Sequence, residues 1–118
     1  MTKISNELNE LLTRLNKSYA DITAYRMECI VVNPDYDHAE ESGNIPYRIC
    51  TLNITGTSLV PGDIDPTIEY DKGYGGGQEL DGTILFSDNT WLTRGEYDGS
   101  EYWEYHTPPT IESIIGEI

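Results

Sequence analysis

The sequence predicts an α+β domain: an N-terminal amphipathic helix packed on a curved antiparallel sheet of about five strands, ending in a three-stranded meander. Three observations predict it. Apolar residues recur at helical spacing near the N-terminus, where Ile4, Leu8, Leu11, Leu12 and Leu15 form one stripe. Beyond residue 22 the pattern changes to runs that alternate with period two. In the last third, the pairs Asp88-Asn89 and Asp98-Gly99 punctuate aromatic, β-branched runs at hairpin spacing. A chain of 118 residues is most simply a single domain, able to bury roughly two thirds of its unfolded surface. The helix is expected at about 3–17, the sheet at about 23–107 and a C-terminal tail at 108–118.

The helical stripe is narrow, so the helix should lie on a sheet and not inside a bundle. Ser5 or Thr2 is its expected cap, and Asn16 to Ser18 weaken its end. Tyr25, Met27, Cys29 and Val31 then alternate with Arg26, Glu28 and Ile30, a strand closed by Asn33-Pro34. An acidic loop, NPDYDHAEESGNIP, leads to a second strand, YRICTLNIT. The stretch GTSLVPGDIDP breaks the pattern with turn residues, and TIEY reads as a short strand. DKGYGGGQELDG, with its glycines, reads as a mobile loop. The meander follows as TILFS, TWLTRGEY and SEYWEYH, stopped by Pro108-Pro109. The tail TIESIIGEI is expected to dock through Ile111, Ile114 and Ile115.

Two-residue turns would fix the register of the meander. Phe86 would face Trp91, Ile84 would face Thr93, Thr93 would face Glu104, and Glu96 would face Glu101. Ile84, Phe86, Trp91, Thr93, Tyr97 and Tyr102 would then share the face under the helix. Leu85, Leu92, Arg94, Glu96, Glu101, Trp103 and Tyr105 would share the outer one. Directly opposed like charges such as Glu96 and Glu101 cost stability, with Arg94 near enough to relieve part of it. Aromatics would hold this hairpin rigid while its acids project outward.

Charge sharpens the picture. Seven basic and 21 acidic residues give −14. Residues 1–26 hold four bases and three acids, a net of +1, so residues 27–118, with three and eighteen, carry −15. A net charge of magnitude ~2 to 8 suffices for the solubility of a small domain. The excess carries a cost in self-repulsion; it repels nucleic acid and anionic membranes and steers basic partners inward. Basic patches interleaved with aromatics, which mark direct nucleic-acid binding, are absent.

The side chains that carry chemistry form no recognisable site. GYGGGQ lacks the Lys-Ser/Thr and the strand-to-helix context of a phosphate loop. DYDHAEESG crowds Asp35, Asp37, Glu40 and Glu41 but lacks the glycine and the terminal glutamate of a calcium loop. Asp63 and Asp65 read as turn formers. His38 and His106 have no cluster of further ligands, and no Ser, Cys or Thr stands in a nucleophile motif. No enzyme activity, metal or cofactor is expected. Cys29 and Cys50 read as reduced core residues, with a disulfide the alternative if their strands pair. No run reaches the ~18 apolar residues of a membrane span, and MTKISNELNELL lacks the apolar region of a signal peptide, so a cytoplasmic location is expected.

In size, charge and lack of catalytic motifs the chain resembles small phage-encoded DNA mimics of the anti-restriction and anti-CRISPR type. The resemblance is one of class and covers composition; no motif aligns, so no functional residue carries over from it. It implies an inhibitor in the host cytoplasm, monomeric or homodimeric, that blocks the basic surface of a nucleic-acid-binding or nuclease complex without touching nucleic acid or membrane itself. The residues expected to meet that partner are Glu96, Asp98, Glu101, Glu104, Trp103 and Tyr105 of the hairpin, with Asp35, Asp37, Glu40 and Glu41 of the acidic loop. Two other readings fit the composition: an immunity protein neutralising a bacterial nuclease toxin, and an accessory module that forms a homo-oligomer.

Overall fold

The structure, a computed structural model, describes residues 2–33, 46–71, 78–97 and 100–109. One helix, α1 (Ile4–Arg14), lies on an antiparallel sheet of five strands. In chain order the sheet comprises β2 (Ile22–Val32), β3 (Arg48–Gly56), β5 (Leu80–Phe86), β6 (Trp91–Tyr97) and β7 (Ser100–His106). Their spatial order is β3-β2-β5-β6-β7, so the last three strands form the expected meander. Two short strands, β1 (Thr2–Lys3) and β4 (Glu69–Tyr70), pair separately. The segment TIEY therefore pairs outside the main sheet.

The apolar stripe of α1 is its buried face, with Ile4, Leu8, Leu11 and Leu12 in the core. Its start differs from the expectation. Neither Thr2 nor Ser5 caps it: Thr2 is taken into β1, and Ser5 is buried with its hydroxyl unpaired. The Ile4 N–H instead donates to the Ile68 carbonyl at 3.2 Å, so a tertiary contact replaces a local cap. The other end closes as a Schellman motif around Asn16, whose φ is 60°. Asn16 N–H donates to Thr13 O at 3.1 Å and Lys17 N–H to Leu12 O at 2.9 Å, which satisfies two of the last carbonyls.

Beneath the helix lie Met27 and Cys29 of β2, Leu52 of β3, Leu80, Ile84 and Phe86 of β5, and Leu92 of β6. Gly82 sits among them because a Cβ there would come within 2.6 Å of the Arg26 carbonyl oxygen. The turn-rich stretch after β3 is also part of this core, burying Leu59 and Ile64. Its aspartates act as turn formers: Asp63 accepts from Val60 N–H at 3.0 Å and Asp65 from Thr67 N–H at 2.9 Å. The register of β2 on β3 slips after Cys29, which pairs with Leu52 while Ile30 pairs with Cys50. This bulge buries Cys29 and turns Cys50 outward, so Cys50 is not a core residue, and both thiols are free. Of the stretch DKGYGGGQELDG, expected to be a mobile loop, residues 72–77 lie outside the described residues, as do the acidic loop at 34–45 and the tail at 110–118. The end of that stretch is not loop, since Leu80, Asp81 and Gly82 open β5 and Leu80 is buried in the core.

The meander corrects the expected register. Across β6 and β7 the expected pairs hold, Thr93 with Glu104 and Glu96 with Glu101. Across β5 and β6 they do not: Ile84 faces Leu92 and Leu85 faces Trp91. The loop after Phe86 has three residues, not two. Asn89 adopts φ 69°, its N–H donates to Phe86 O at 3.1 Å, and Phe86 N–H donates to Thr90 O at 2.9 Å. One extra residue exchanges the two faces of everything that follows. Leu92, Arg94, Glu101 and Trp103 thus join the helix-covered face, and Trp91, Thr93 and Tyr102 move to the open one.

Asp88 anchors this loop. It accepts from Thr90 N–H at 3.1 Å and pairs with Lys17 Nζ at 2.5 Å, and Lys17 lies 4.8 Å from the Phe86 ring centroid. The Lys17 bond, then Thr90, hold the Asp88 carboxyl at about 2, below the ordinary 3.8. A depressed carboxyl contributes stability above its unfolded value and loses it as pH falls through its folded one. Asp88→Asn should therefore flatten the stability profile between about pH 4 and pH 2, measured by urea titrations across that window, and leave its shape above about pH 5 unchanged.

Candidate functional site

On the covered face, the cross-strand pair Arg94 and Trp103 meets the end of β5 and one side of α1. The Arg94 side chain has no exposed surface. Its Nη2 donates to Glu101 Oε1 at 3.2 Å and to the Tyr70 hydroxyl at 3.0 Å, and Nε donates to Leu80 O at 3.3 Å. Nη1 lies 3.5 Å from Glu7 Oε1, and the guanidinium stands 4.8 Å from the Trp103 ring centroid. The Tyr70 hydroxyl donates to Glu7. Burial, then the Glu7 contact, push the Tyr70 phenol above its ordinary range. Glu101 completes the cluster by accepting from Glu79 N–H at 2.8 Å and Leu80 N–H at 2.9 Å.

This arrangement corrects two of the expected partner-binding residues. Glu101 is only 4 % exposed, and its carboxylate is consumed by one arginine and two backbone donors. Trp103 packs against the core with its indole N–H unpaired. Both hold the hairpin to the body of the domain. Of the other hairpin residues, Glu96 is exposed, and Tyr105 is 40 % exposed at the margin of the covered face beside Lys17. Glu104 lies on the open face, half-exposed, with Oε2 3.6 Å from His106 Nε2. Asp98, Asp35, Asp37, Glu40 and Glu41 lie outside the described residues.

The open face of the sheet is the second surface. Trp91 stacks on His106 with ring centroids 5.3 Å apart and planes at 18°. Thr93 Oγ1 bonds His106 Nε2 at 2.7 Å and holds that ring in place. Tyr102 lies over Gly95, where a Cβ would come within 2.6 Å of the ring. That close approach is why glycine stands in mid-strand there. Next to Trp91 a shallow groove of about 480 Å³ crosses β6, β5, β2 and β3, walled by Leu85, Ala24, Tyr25, Thr83 and Thr55.

Acids also meet on this face. Glu28 and Asp81 are directly opposed across β2 and β5. Arg26 reaches Asp81 at 3.2 Å from one side. No signal in the sequence alone revealed the groove or this pair, because both arise from strands distant in the chain. The Arg94 cluster did leave a signal, a lone arginine two residues after Leu92 and diagonal to Glu101 across the hairpin. Among the described residues, no three His, Cys, Asp or Glu side chains are placed to hold a metal ion, and no helix is long and apolar enough to cross a membrane.

The fold and these surfaces define an α+β domain with one covered and one open sheet face. Comparison of the chain with protein-family models, curated proteins and solved structures gives no match.

Proposed function

We propose that the protein is a cytoplasmic, non-enzymatic inhibitor that occupies the basic nucleic-acid-binding surface of a protein partner and so excludes the nucleic acid. The observation that carries this reading is how charge is spent. Lys17, Arg26 and Arg94 each face a carboxylate, of Asp88, Asp81 and Glu101 respectively, so half of the described cations are already engaged. The chain as a whole still carries a net charge of −14. Tyr97, at 79 % exposure, and Tyr102, Tyr105 and Tyr47 are exposed as well. Tyrosine supplies large contact area at low entropic cost, which suits a binding surface better than a merely soluble one.

The test begins with affinity capture from a host lysate and continues with the purified partner. Its association rate should fall at least tenfold from about 50 to about 500 mM salt, because charges beyond roughly 8 Å are screened at physiological ionic strength. The partner's own nucleic acid should compete. A rate flat across that range, or a ternary complex with nucleic acid still bound, overturns the proposal. Whether the retained protein is a defence complex or a single nuclease toxin separates an anti-defence inhibitor from an immunity protein.

A further inference from the structure

The open face places an apolar groove and an opposed pair of acids at a fixed spacing, and that spacing specifies a ligand. Leu85 and Asp81 lie four residues apart on β5, their side chains on the same face, roughly 13 Å apart along the strand. At the Leu85 end the surface is apolar, with Ala24 and Trp91, and Arg26, opposite Thr83, lines the groove on the side toward Asp81. At the Asp81 end, Glu28 stands directly opposite. Like charges in directly opposed positions are destabilising, and Arg26, reaching in from one side, cancels one of the two. The pair therefore retains one negative charge in excess of its local cation. An extended peptide rises about 3.3 Å per residue. A segment lying along β5 with an apolar side chain in the groove would therefore bring the side chain four residues away over Glu28 and Asp81.

We propose that the open sheet face binds an extended basic segment of a protein partner, with an apolar side chain in the groove at Leu85 and Trp91 and an arginine or lysine four residues away across Glu28 and Asp81. The inference rests on the reading of the protein as an acidic binder and names the chemistry of what it binds. A second copy of the chain is a poor occupant, since it brings another −14 to a face that already carries an excess of acid. A basic segment complements that charge.

Three nine-residue peptides without Trp or Tyr test this. The first carries leucine and arginine four residues apart among lysine and glycine. The second has the same composition with leucine and arginine adjacent and only glycine four residues from the leucine. The third replaces leucine with serine. Titration followed by tryptophan emission and calorimetry should show the first binding about tenfold or more tighter than the third, the fold-change expected from burying one leucine. It should also bind tighter than the second. Leu85→Ser should erase the advantage of the first peptide over the third, and Glu28→Gln its advantage over the second. The melting temperature of each variant reports whether the sheet is intact, and Glu28→Gln should melt no lower than wild type. Equal, salt-dependent binding of all three peptides overturns the groove and leaves the acidic reading standing. Absence of binding by any of them at low salt overturns both. A self-associating protein whose dimer is broken by Leu85→Ser assigns the groove to a second copy and overturns the proposal.

Discussion

Arg94→Met should lower the free energy of unfolding by about 3–5 kcal/mol, the cost of removing one partner from a buried ion pair. The arginine pairs with both Glu101 and Glu7 in this cluster. Without it, Glu101 keeps its two backbone donors but loses its counter-charge, at a side-chain exposure of 1 %. Leu80 O and the Tyr70 hydroxyl each lose a contact as well. Methionine fills much of the arginine stem's volume, so the loss reads out charge and hydrogen bonding more than a cavity. Guanidinium denaturation at neutral pH measures it. A second variant decides the cause. Arg94→Met combined with Glu101→Leu removes both charges and should recover a large part of the loss, since an apolar replacement of a whole buried pair is often neutral or stabilising. If the double variant is as unstable as the sum of the singles, packing and not charge is what Arg94 contributes.

The position of this cluster shows what was legible in the sequence and where it stopped. The helical stripe, the strand alternation and the meander were all readable, because each is a periodicity within one element. The β6–β7 register was readable too: the Asp-Gly pair at 98–99 is a strong two-residue hairpin signal, and Tyr97 does pair with Ser100. Asp88-Asn89 is weaker. Asparagine tolerates the left-handed region, so it can end a three-residue loop as readily as sit in a two-residue one. That ambiguity of one residue moved Arg94, Glu101 and Trp103 from an expected outer face to the covered one. It also brought Trp91 and Tyr102 to the open face. The helix start was unreadable for a different reason, since its cap is the Ile68 carbonyl, 64 residues away along the chain. Of the expected partner-binding residues in the described hairpin, Glu96, Glu104 and Tyr105 are exposed or half-exposed, but on faces opposite to those the two-residue turn predicts: Glu104 beside Thr93 on the open face, Glu96 and Tyr105 on the side of Glu101 and Leu92.

Glu101→Gln separates the two possible faces of the hairpin by the sign of its effect. Had Glu101 projected into solvent opposite Glu96, removing its charge would relieve a cross-strand repulsion worth several tenths of a kcal/mol, and stability would hold or rise. In the fold observed here the larger quantity is on the other side. The carboxylate accepts from Glu79 N–H, Leu80 N–H and the Arg94 guanidinium. Hydrogen bonds to a charged acceptor contribute about 1.5–3 kcal/mol each. Glutamine keeps one acceptor oxygen and turns an NH₂ toward groups that are themselves donors. It should therefore cost about 2–4 kcal/mol in stability, outweighing the relieved repulsion severalfold. Because Glu101 is 4 % exposed, affinity per folded molecule for a basic partner should be unchanged. Glu104→Gln, on the half-exposed open face, is the matched comparison and should shift stability by no more than about 0.5 kcal/mol. Urea denaturation of both variants, with binding measured well below their transitions, gives the answer. Equal stability of Glu101→Gln and wild type would mean the carboxylate does not hold the end of β5. A fall in affinity without a fall in stability would return Glu101 to the binding surface.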